Sequence, residues 1–293
     1  MDVTEDVIAA IDAQGGITGG GLVYGDTSAA LEFVTEEYYR SVWSRWNTPE
    51  QLDSMVHFKD RNEEGLLADR VQLYGMEQFP LDHLTVLEGD LSKLSEPGGR
   101  YVAAVYSDDD YGRPELGSHW ARLGDTVTIR YVEEYEYYNP DTGEVYGPWE
   151  NVPDGANWVD RAVKYRDVEY EVAALVTVPM ALSYRYYGAD EFILNDQTFL
   201  QDTGTGDIMY YAFDVDDGAT ADMEGFLRDY TENVNPQLDY ESKAAYAAEF
   251  EGFRGMFLML GGALSFIVGL VGVLNFFNAV LTGICLLYTS PSP

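Results

Sequence analysis

The sequence is poor in cysteine and histidine. It has one cysteine, Cys285, so the chain can form no internal disulfide and no site built on several thiolates. Its three histidines, His57, His83 and His119, are scattered without the HxxH or HExxH spacing of zinc sites. No P-loop, GxSxG or SxxK pattern occurs either. We therefore expect no enzyme activity, metal site or cofactor on this chain.

Basic residues are also scarce. Lys and Arg total 17 against 51 Asp and Glu, which gives a formal net charge of -34 at pH 7. Such a surface repels phosphate backbones, so we expect no nucleic-acid partner. It would attract cations, including cationic peptides, although solubility or habitat is the simpler explanation. Paired carboxylates for glycoside hydrolysis remain open, because so many acidic residues supply every spacing.

Two acidic runs and one glycine-rich run resemble binding loops only in part. Asp214–Gly218 has its glycine one position early for an EF-hand and lacks the required glutamate. Asp108–Asp110 is most simply a solvated turn. Gly15–Gly25 has no lysine and no GxxxxGK[ST] pattern, so it is interpreted as a turn leading into a strand.

A long run without charge lies near the C-terminus. No charged residue follows Arg254, and residues 255–284 are long enough to cross about 30 Å of hydrocarbon, which needs about 20 residues. We expect a transmembrane helix there, preceded by a stalk helix over 242–254. Small residues recur on one face, and two amides lie at membrane depth, which favours packing in a helix bundle. These candidate packing residues are Gly261, Ser265, Gly269, Gly272, Asn275 and Asn278.

Both ends of the sequence look incomplete. The N-terminus is acidic and amphipathic and is not a signal peptide, so either the domain is cytoplasmic and tail-anchored or an earlier membrane helix is missing. Few Lys or Arg residues flank the span, which favours an extracytoplasmic position for residues 1–254. Residues 285–293 read CLLYTSPSP, which is typical of translated sequencing-adapter text. We interpret them as a non-native tail.

The remaining sequence predicts an α+β fold. Apolar spacing predicts helices after Thr4, over 28–46 and after Thr220. Residues 86–178 carry runs rich in β-branched and aromatic residues, with a hairpin turn at Asn139–Gly143. The Tyr and Trp residues here could form a carbohydrate platform, but packing on a half-exposed sheet is the simpler reading. Further strands are expected over 71–74, 192–194 and 209–215.

Several short motifs, in order along nearly the whole chain, resemble the FtsX-like permeases with a MacB-like outer domain. Thr4–Gly21 resembles the helix and strand that enter this domain, and Leu123–Ile129 is similar to its "lGDtvtl" strand. Val71–Gly75 followed by Leu87–Leu91 resembles its "LYG … L-x-G" stretch, and the strand at 170–178 is similar to the one that follows it. The most specific part is "GLVGVLNFFNAVLTGI", within Phe253–Ile284, which resembles the second membrane helix of that family.

The resemblance implies a permease fragment of an ABC transporter in a bacterial cell membrane. It implies a two-lobed extracytoplasmic domain over 1–254, with an α+β lobe at about 1–85 and 179–240 and a β-rich insertion at about 86–178. It implies a cytoplasmic ATPase subunit as partner, which would bind ATP, and a permease homodimer within the lipid bilayer. The alternatives are a membrane-anchored sensor or binding module without an ATPase and, with less support, an anchored surface enzyme.

Overall fold

The computed structural model describes residues 3–26, 30–109, 111–178 and 189–289. Its chain divides into two compact units, Met1–Met223 and Glu224–Pro293. The helices in the described residues are α1 (Glu5–Asp12), α2 (Glu36–Trp43), α3 (Pro49–Phe58), α4 (Gln78–Asp82), α5 (Asp196–Thr203), α6 (Thr220–Asp229) and α7 (Lys243–Thr289). The division between the units falls within α6.

One hydrogen-bonded sheet dominates the first unit. Its strands in the described residues are β1 (Ile17–Asp26), β2 (Ala30–Val34), β3 (Leu67–Met76), β4 (Thr85–Gly89), β5 (Tyr101–Val105), β6 (Thr126–Tyr138), β7 (Val145–Gly147), β8 (Val159–Thr177), β9 (Asp190–Asn195) and β10 (Ile208–Val215). They lie in the order β10-β1-β3-β2-β6-β8-β5-β9, with β4 beside β8 and β7 beside β6.

Part of the sheet closes on itself, because β3 hydrogen-bonds both to β2 and to β9. Leu67–Arg70 pairs with β2 in antiparallel register, whereas Val71–Met76 pairs with β9 in parallel register. The pairings of β2, β6, β8, β5 and β9 therefore run from β3 back to β3. Two large apolar clusters pack on this sheet, and their fully buried residues include Leu73, Phe192 and Tyr74.

The strands β6 and β8 form a long hairpin that is buried at one end and exposed at the other. Their register runs from Thr126 opposite Glu171 to Tyr138 opposite Val159. The predicted turn at Asn139–Gly143 lies at the exposed end, where Gly143 takes a positive φ of 74°. Nearby, the rings of Tyr137, Trp149 and Trp158 contact one another edge to face at 5.2–5.5 Å. The aromatics of this end therefore pack mainly on each other.

The α+β class is confirmed, but one predicted helix is wrong in part. The helix expected over 28–46 is a strand at Ala30–Val34 and a helix only from Glu36 to Trp43. All five residues of β2 are buried, so the strand shows no alternation of apolar and polar residues that would have marked it. Thr35 ends the strand and caps α2, since its hydroxyl accepts a hydrogen bond from the Tyr38 amide at 3.2 Å.

The predicted division into two lobes stays a prediction. Strands from the expected insertion, such as β5 and β6, hydrogen-bond to β9 and β2 of the expected α+β lobe. Both predicted parts thus contribute to the same sheet and lie in the same compact unit. The strands predicted over 71–74, 192–194 and 209–215 lie within β3, β9 and β10, and β3 begins four residues earlier, at Leu67. Residues 86–178 contain β5 to β8, in keeping with the predicted β-rich runs. The strand expected at 170–178 lies within β8 except for Val178, which follows its end.

The second unit is helical in its described residues except for the segment 235–242. A turn of π-helix, Tyr230–Val234, follows α6. Helix α7 begins after Ser242, whose hydroxyl accepts from the Ala245 amide at 3.0 Å, and it continues for 47 residues. It is the one described helix long and apolar enough to cross a membrane. The predicted stalk and the predicted span therefore belong to a single continuous helix.

Candidate functional site

A cavity of about 720 Å³ lies in the first unit, between the α2–α3 pair, strands β2 and β3, and the exposed part of the β6–β8 hairpin. Local sequence fixes α3 beside it. Thr48 accepts a hydrogen bond from the Gln51 amide, Gln51 returns one to the Thr48 amide, and Pro49 occupies the first helical position. Val56 then packs with Val34, Tyr39 and Leu67. The cavity volume lies within the range of about 300–1,000 Å³ typical of ligand pockets.

The lining of the cavity combines apolar and charged side chains. The apolar part consists of aliphatic and aromatic side chains from all three walls, including Leu31, Met55, Phe58, Val71 and Tyr135. The charged part consists of three cations and three carboxylates, namely Lys59, Arg70, Arg161, Asp60, Asp69 and Asp160. Although the whole chain carries a net charge of -34, the formal charges around the cavity therefore cancel.

Several of these charges have partners within the protein. Lys59 Nζ donates to Asp69 Oδ1 at 3.0 Å, and Trp43 Nε1 donates to Asp69 Oδ2 at 2.9 Å. Arg161 Nε donates to Glu136 at 2.7 Å. In the described part of the chain, Arg70 and Asp160 form no ion pair, and no side-chain hydrogen bond engages either of them. Arg70, which is exposed, and Asp160, which is half-buried, are thus an opposite pair of charges available to a ligand, whereas Asp60 accepts a hydrogen bond from the Ala162 amide at 3.1 Å.

Tyr39 is the most unusual residue of the lining. Its side chain is fully buried, yet its hydroxyl has no hydrogen-bond partner among the described residues. Burial, and next the negative charge of Asp69, raise the pKa of Tyr39 above its ordinary value. Its hydroxyl is therefore neutral at physiological pH. A buried hydroxyl without a partner is costly, so this group has an unused capacity for hydrogen bonding.

Glu32 and Asp190 are buried carboxylates outside the lining of the cavity. Glu32 is almost completely buried and accepts a hydrogen bond from Trp120 Nε1 at 2.5 Å. Burial, and next the charges of Asp190 and Asp69, raise the pKa of Glu32 well above its ordinary value. Tyr38 in turn donates to Asp190 Oδ1 at 3.0 Å. This arrangement favours a protonated Glu32 and ties α2 to β9.

The residues predicted to pack a membrane bundle all lie on α7. Gly261, Ser265, Gly269 and Gly272 follow one face of the helix at helical spacing, and Asn275 and Asn278 lie further along it. All six are exposed in the described chain. A Cβ added at Gly261 or Gly269 would meet no described atom within 4 Å, so this face has room for another helix. Their role in packing stays a prediction.

Other predicted features lie apart from the cavity. Helix α3 carries His57, but neither that residue nor His83 nor His119 is among the cavity-lining residues. His119 is buried beside Tyr106 and Phe192, whereas His83 approaches Asp214 at 3.5 Å on the surface. Among the described residues, no three His, Cys, Asp or Glu side chains converge as metal ligands would.

Sequence reasoning missed the cavity residues. The helix predicted over 28–46 includes Tyr39, but no pattern singled out this side chain, which is the fully buried residue of α2. Thr35 followed by two acidic residues is a helix-start signal, and placing the N-cap there would have separated β2 from α2. Arg70 and Asp160 belong to strands far apart in sequence, so no local pattern marks them.

No family model matches the sequence, and no curated protein matches it either. Among solved structures, the chain is similar to the extracellular domain of the noncanonic ABC-type transporter YknZ from Gram-positive bacteria, with 12% identity and a TM-score of 0.35. That match covers 79% of this chain and 84% of the other. The chain is also similar to the periplasmic region of MacB from Actinobacillus actinomycetemcomitans, with 10% identity and a TM-score of 0.36, over 79% and 75% of the two chains.

These structural neighbours are outer regions of transporters, the class that the sequence motifs resemble.

Proposed function

We propose that this chain is the outer domain and following span of a permease subunit in an ABC transporter of the FtsX/MacB-like class. A separate cytoplasmic ATPase would bind ATP, and the permease would act as a homodimer in a bacterial cell membrane. The motifs at Leu123–Ile129 and Phe253–Ile284 support the class. In this proposal, ATP hydrolysis by the partner drives motion of the outer domain or export.

The observation that carries the proposal is the continuity of α7. At about 1.5 Å per residue, the part of α7 from Lys243 to Ile284, which precedes the tail interpreted as non-native, is about 63 Å long, whereas a bilayer core needs about 30 Å. Its first part contains the last charged residues of the chain, including Glu249, Glu251 and Arg254, and the remainder has none. An unbroken helix that joins a polar stalk to an apolar span can transmit an axial or rotational displacement between the two.

The experiment interrupts this helix in the full-length protein. The intact permease is reconstituted in proteoliposomes with the ATPase encoded beside it, and two spin labels on the outer domain report its motion on ATP addition. We expect an ATP-dependent distance change that Ala248→Pro abolishes, because proline removes a helix hydrogen bond and kinks the stalk. Ala248→Leu, which preserves the helix, should retain the change. If the proline variant moves like the wild type, the coupling proposal is wrong.

A second candidate function is a membrane-anchored binding module without an ATPase. The cavity beside Tyr39 favours it, because a ligand-sized space with two unpaired charges suits a sensor as well as a transporter. The sequence of the intact locus separates the two candidates. Further membrane spans and an adjacent ATPase gene support the permease, whereas a single span followed by a signalling linker supports the sensor.

A further inference from the structure

The cavity between the α2–α3 pair and the β6–β8 hairpin has the properties of a ligand site in its own right. Its lining is formally neutral as a whole, since three cations are balanced by three carboxylates. A ligand with charge of only one sign could engage either Arg70 or Asp160, but not both. A ligand without net charge is therefore preferred over a simple anion or cation.

The polar groups that remain available define the polar part of such a ligand. Arg70 and Asp160 lack ion-pair partners among the described residues, while Lys59 and Arg161 are held by Asp69 and Glu136. A guanidinium binds a carboxylate through two parallel hydrogen bonds, and a carboxylate accepts from an ammonium group. The two free groups thus suit the two ends of a zwitterion.

Tyr39 supplies an independent observation. Its side chain is fully buried and lines the cavity, and its hydroxyl has no partner in the described part of the chain. Retaining an unpaired hydroxyl there is costly unless a ligand uses it. A phenylalanine would fill the same space without that cost, so the hydroxyl itself points to a polar ligand atom.

The apolar lining defines the rest of the ligand. Leu31, Met55, Phe58 and Val71 present a surface with no polar side-chain group other than the weakly accepting Met55 sulfur. We propose that this cavity binds a small zwitterion with an apolar body, with its carboxylate on Arg70 and its ammonium group on Asp160. Tyr39 adds one hydrogen bond, and the inference stands whether or not the chain belongs to a transporter.

Three probes with the same aromatic body test the proposal. Phenylalanine carries both charges, 3-phenylpropanoate lacks the ammonium group, and 2-phenylethylamine lacks the carboxylate. Each is titrated calorimetrically into the full chain in lipid nanodiscs, and the heat of titration into empty nanodiscs is subtracted. We expect phenylalanine to bind at least about tenfold more tightly than either analogue, in keeping with about 1.4 kcal/mol per tenfold.

Charge-specific variants then locate the site. Arg70→Gln should make phenylalanine bind no better than 2-phenylethylamine, and Asp160→Asn should make it bind no better than 3-phenylpropanoate. Tyr39→Phe should weaken phenylalanine about fivefold, in line with one hydrogen bond. Arg113→Gln, which removes an exposed arginine outside the cavity, is the matched control and should bind as the wild type does.

The outcomes decide the proposal clearly. The proposal is supported if Arg70→Gln loses only the preference over 2-phenylethylamine and Asp160→Asn loses only the preference over 3-phenylpropanoate. A merely misfolded variant would lose binding of all three probes together. Equal binding of the three probes to the wild type, no binding of phenylalanine, or unchanged discrimination in Arg70→Gln and Asp160→Asn would each overturn it.

Discussion

The ammonium nitrogen of Lys59 lies 5.3 Å from the centroid of the Tyr39 ring while it donates to Asp69 at 3.0 Å. The lysine thus contacts both the aromatic face and the carboxylate, which joins the end of α3 to the middle of α2 and to β3. The Tyr39 ring is used by this contact, but the Tyr39 hydroxyl is not. The ring and the hydroxyl of this residue should therefore be separable by mutation.

We expect Tyr39→Phe to stabilise the unliganded protein. The change keeps the ring and its contact with Lys59 and removes a buried hydroxyl that lacks a partner, so the free energy of unfolding should rise by about 1 kcal/mol. Urea denaturation of the full chain in detergent micelles, followed by fluorescence, measures it. Tyr170→Phe is the comparison, because the Tyr170 hydroxyl donates to Asp202 at 2.6 Å and its loss should destabilise. Equal destabilisation by both changes would show that the Tyr39 hydroxyl has a partner.

Stability should fall with rising pH through the titration of Glu32. The folded protein raises the pKa of this carboxyl, mainly by burial and next by Asp190, so the folded state holds the proton more tightly than the unfolded state. The contribution of Glu32 to the free energy of unfolding is fully present below about pH 4.5, the ordinary pKa of a glutamate. It is lost progressively as the pH rises from there to the raised pKa of the folded state. Glu32→Gln should flatten this slope in unfolding free energies measured from pH 4 to 8. The exposed Glu37→Gln should leave it unchanged, and equal slopes for all three proteins would contradict the assignment.

Asp202 should be a critical acceptor in the core. It is buried and accepts from Tyr170 at 2.6 Å, from Arg100 at 2.9 Å and from Arg166 at 3.2 Å. Asp202→Ala leaves these donors without their acceptor, so the free energy of unfolding should fall by about 3 kcal/mol. Thermal unfolding by circular dichroism provides the measurement. Asp207→Ala, at an exposed position shortly after α5, should change it by less than about 0.5 kcal/mol.

The small-residue face of α7 should be needed for assembly in the membrane. Replacing Gly261 and Gly269 together by Leu fills the surface on which another helix would pack, so full-length complexes should dissociate in native gels and in crosslinking. Ala263→Leu, about half a turn away around the helix, is the control and should assemble normally. If the double variant assembles like the wild type, these glycines do not lie at the helix interface.

Local sequence patterns predicted the elements whose structure depends on neighbours in the chain. The absence of charge after Arg254 predicted α7, and Asn139–Gly143 predicted the hairpin turn. Strand β2 was missed because burial on both faces removes the alternation of apolar and polar residues. The helical spacing over 28–46 therefore extended the predicted helix back over this strand. The cavity could not be predicted, because Arg70 on β3 and Asp160 on β8 are brought to the same cavity only by the order of the strands in the sheet.

The divided pairing of β3 has a consequence for how the protein is made. Val71 pairs with Asp190, so this parallel contact joins residues 119 positions apart, and the ladder from β3 back to β3 stays open until β9 has left the ribosome. Contacts of such long sequence separation form slowly, and unfinished sheets expose strand edges. Helix α7 emerges still later. The span therefore reaches the membrane soon after the ladder can be completed. A nascent chain paused between Thr177 and Asp190 would contain every strand of this ladder except β9, the strand that completes it.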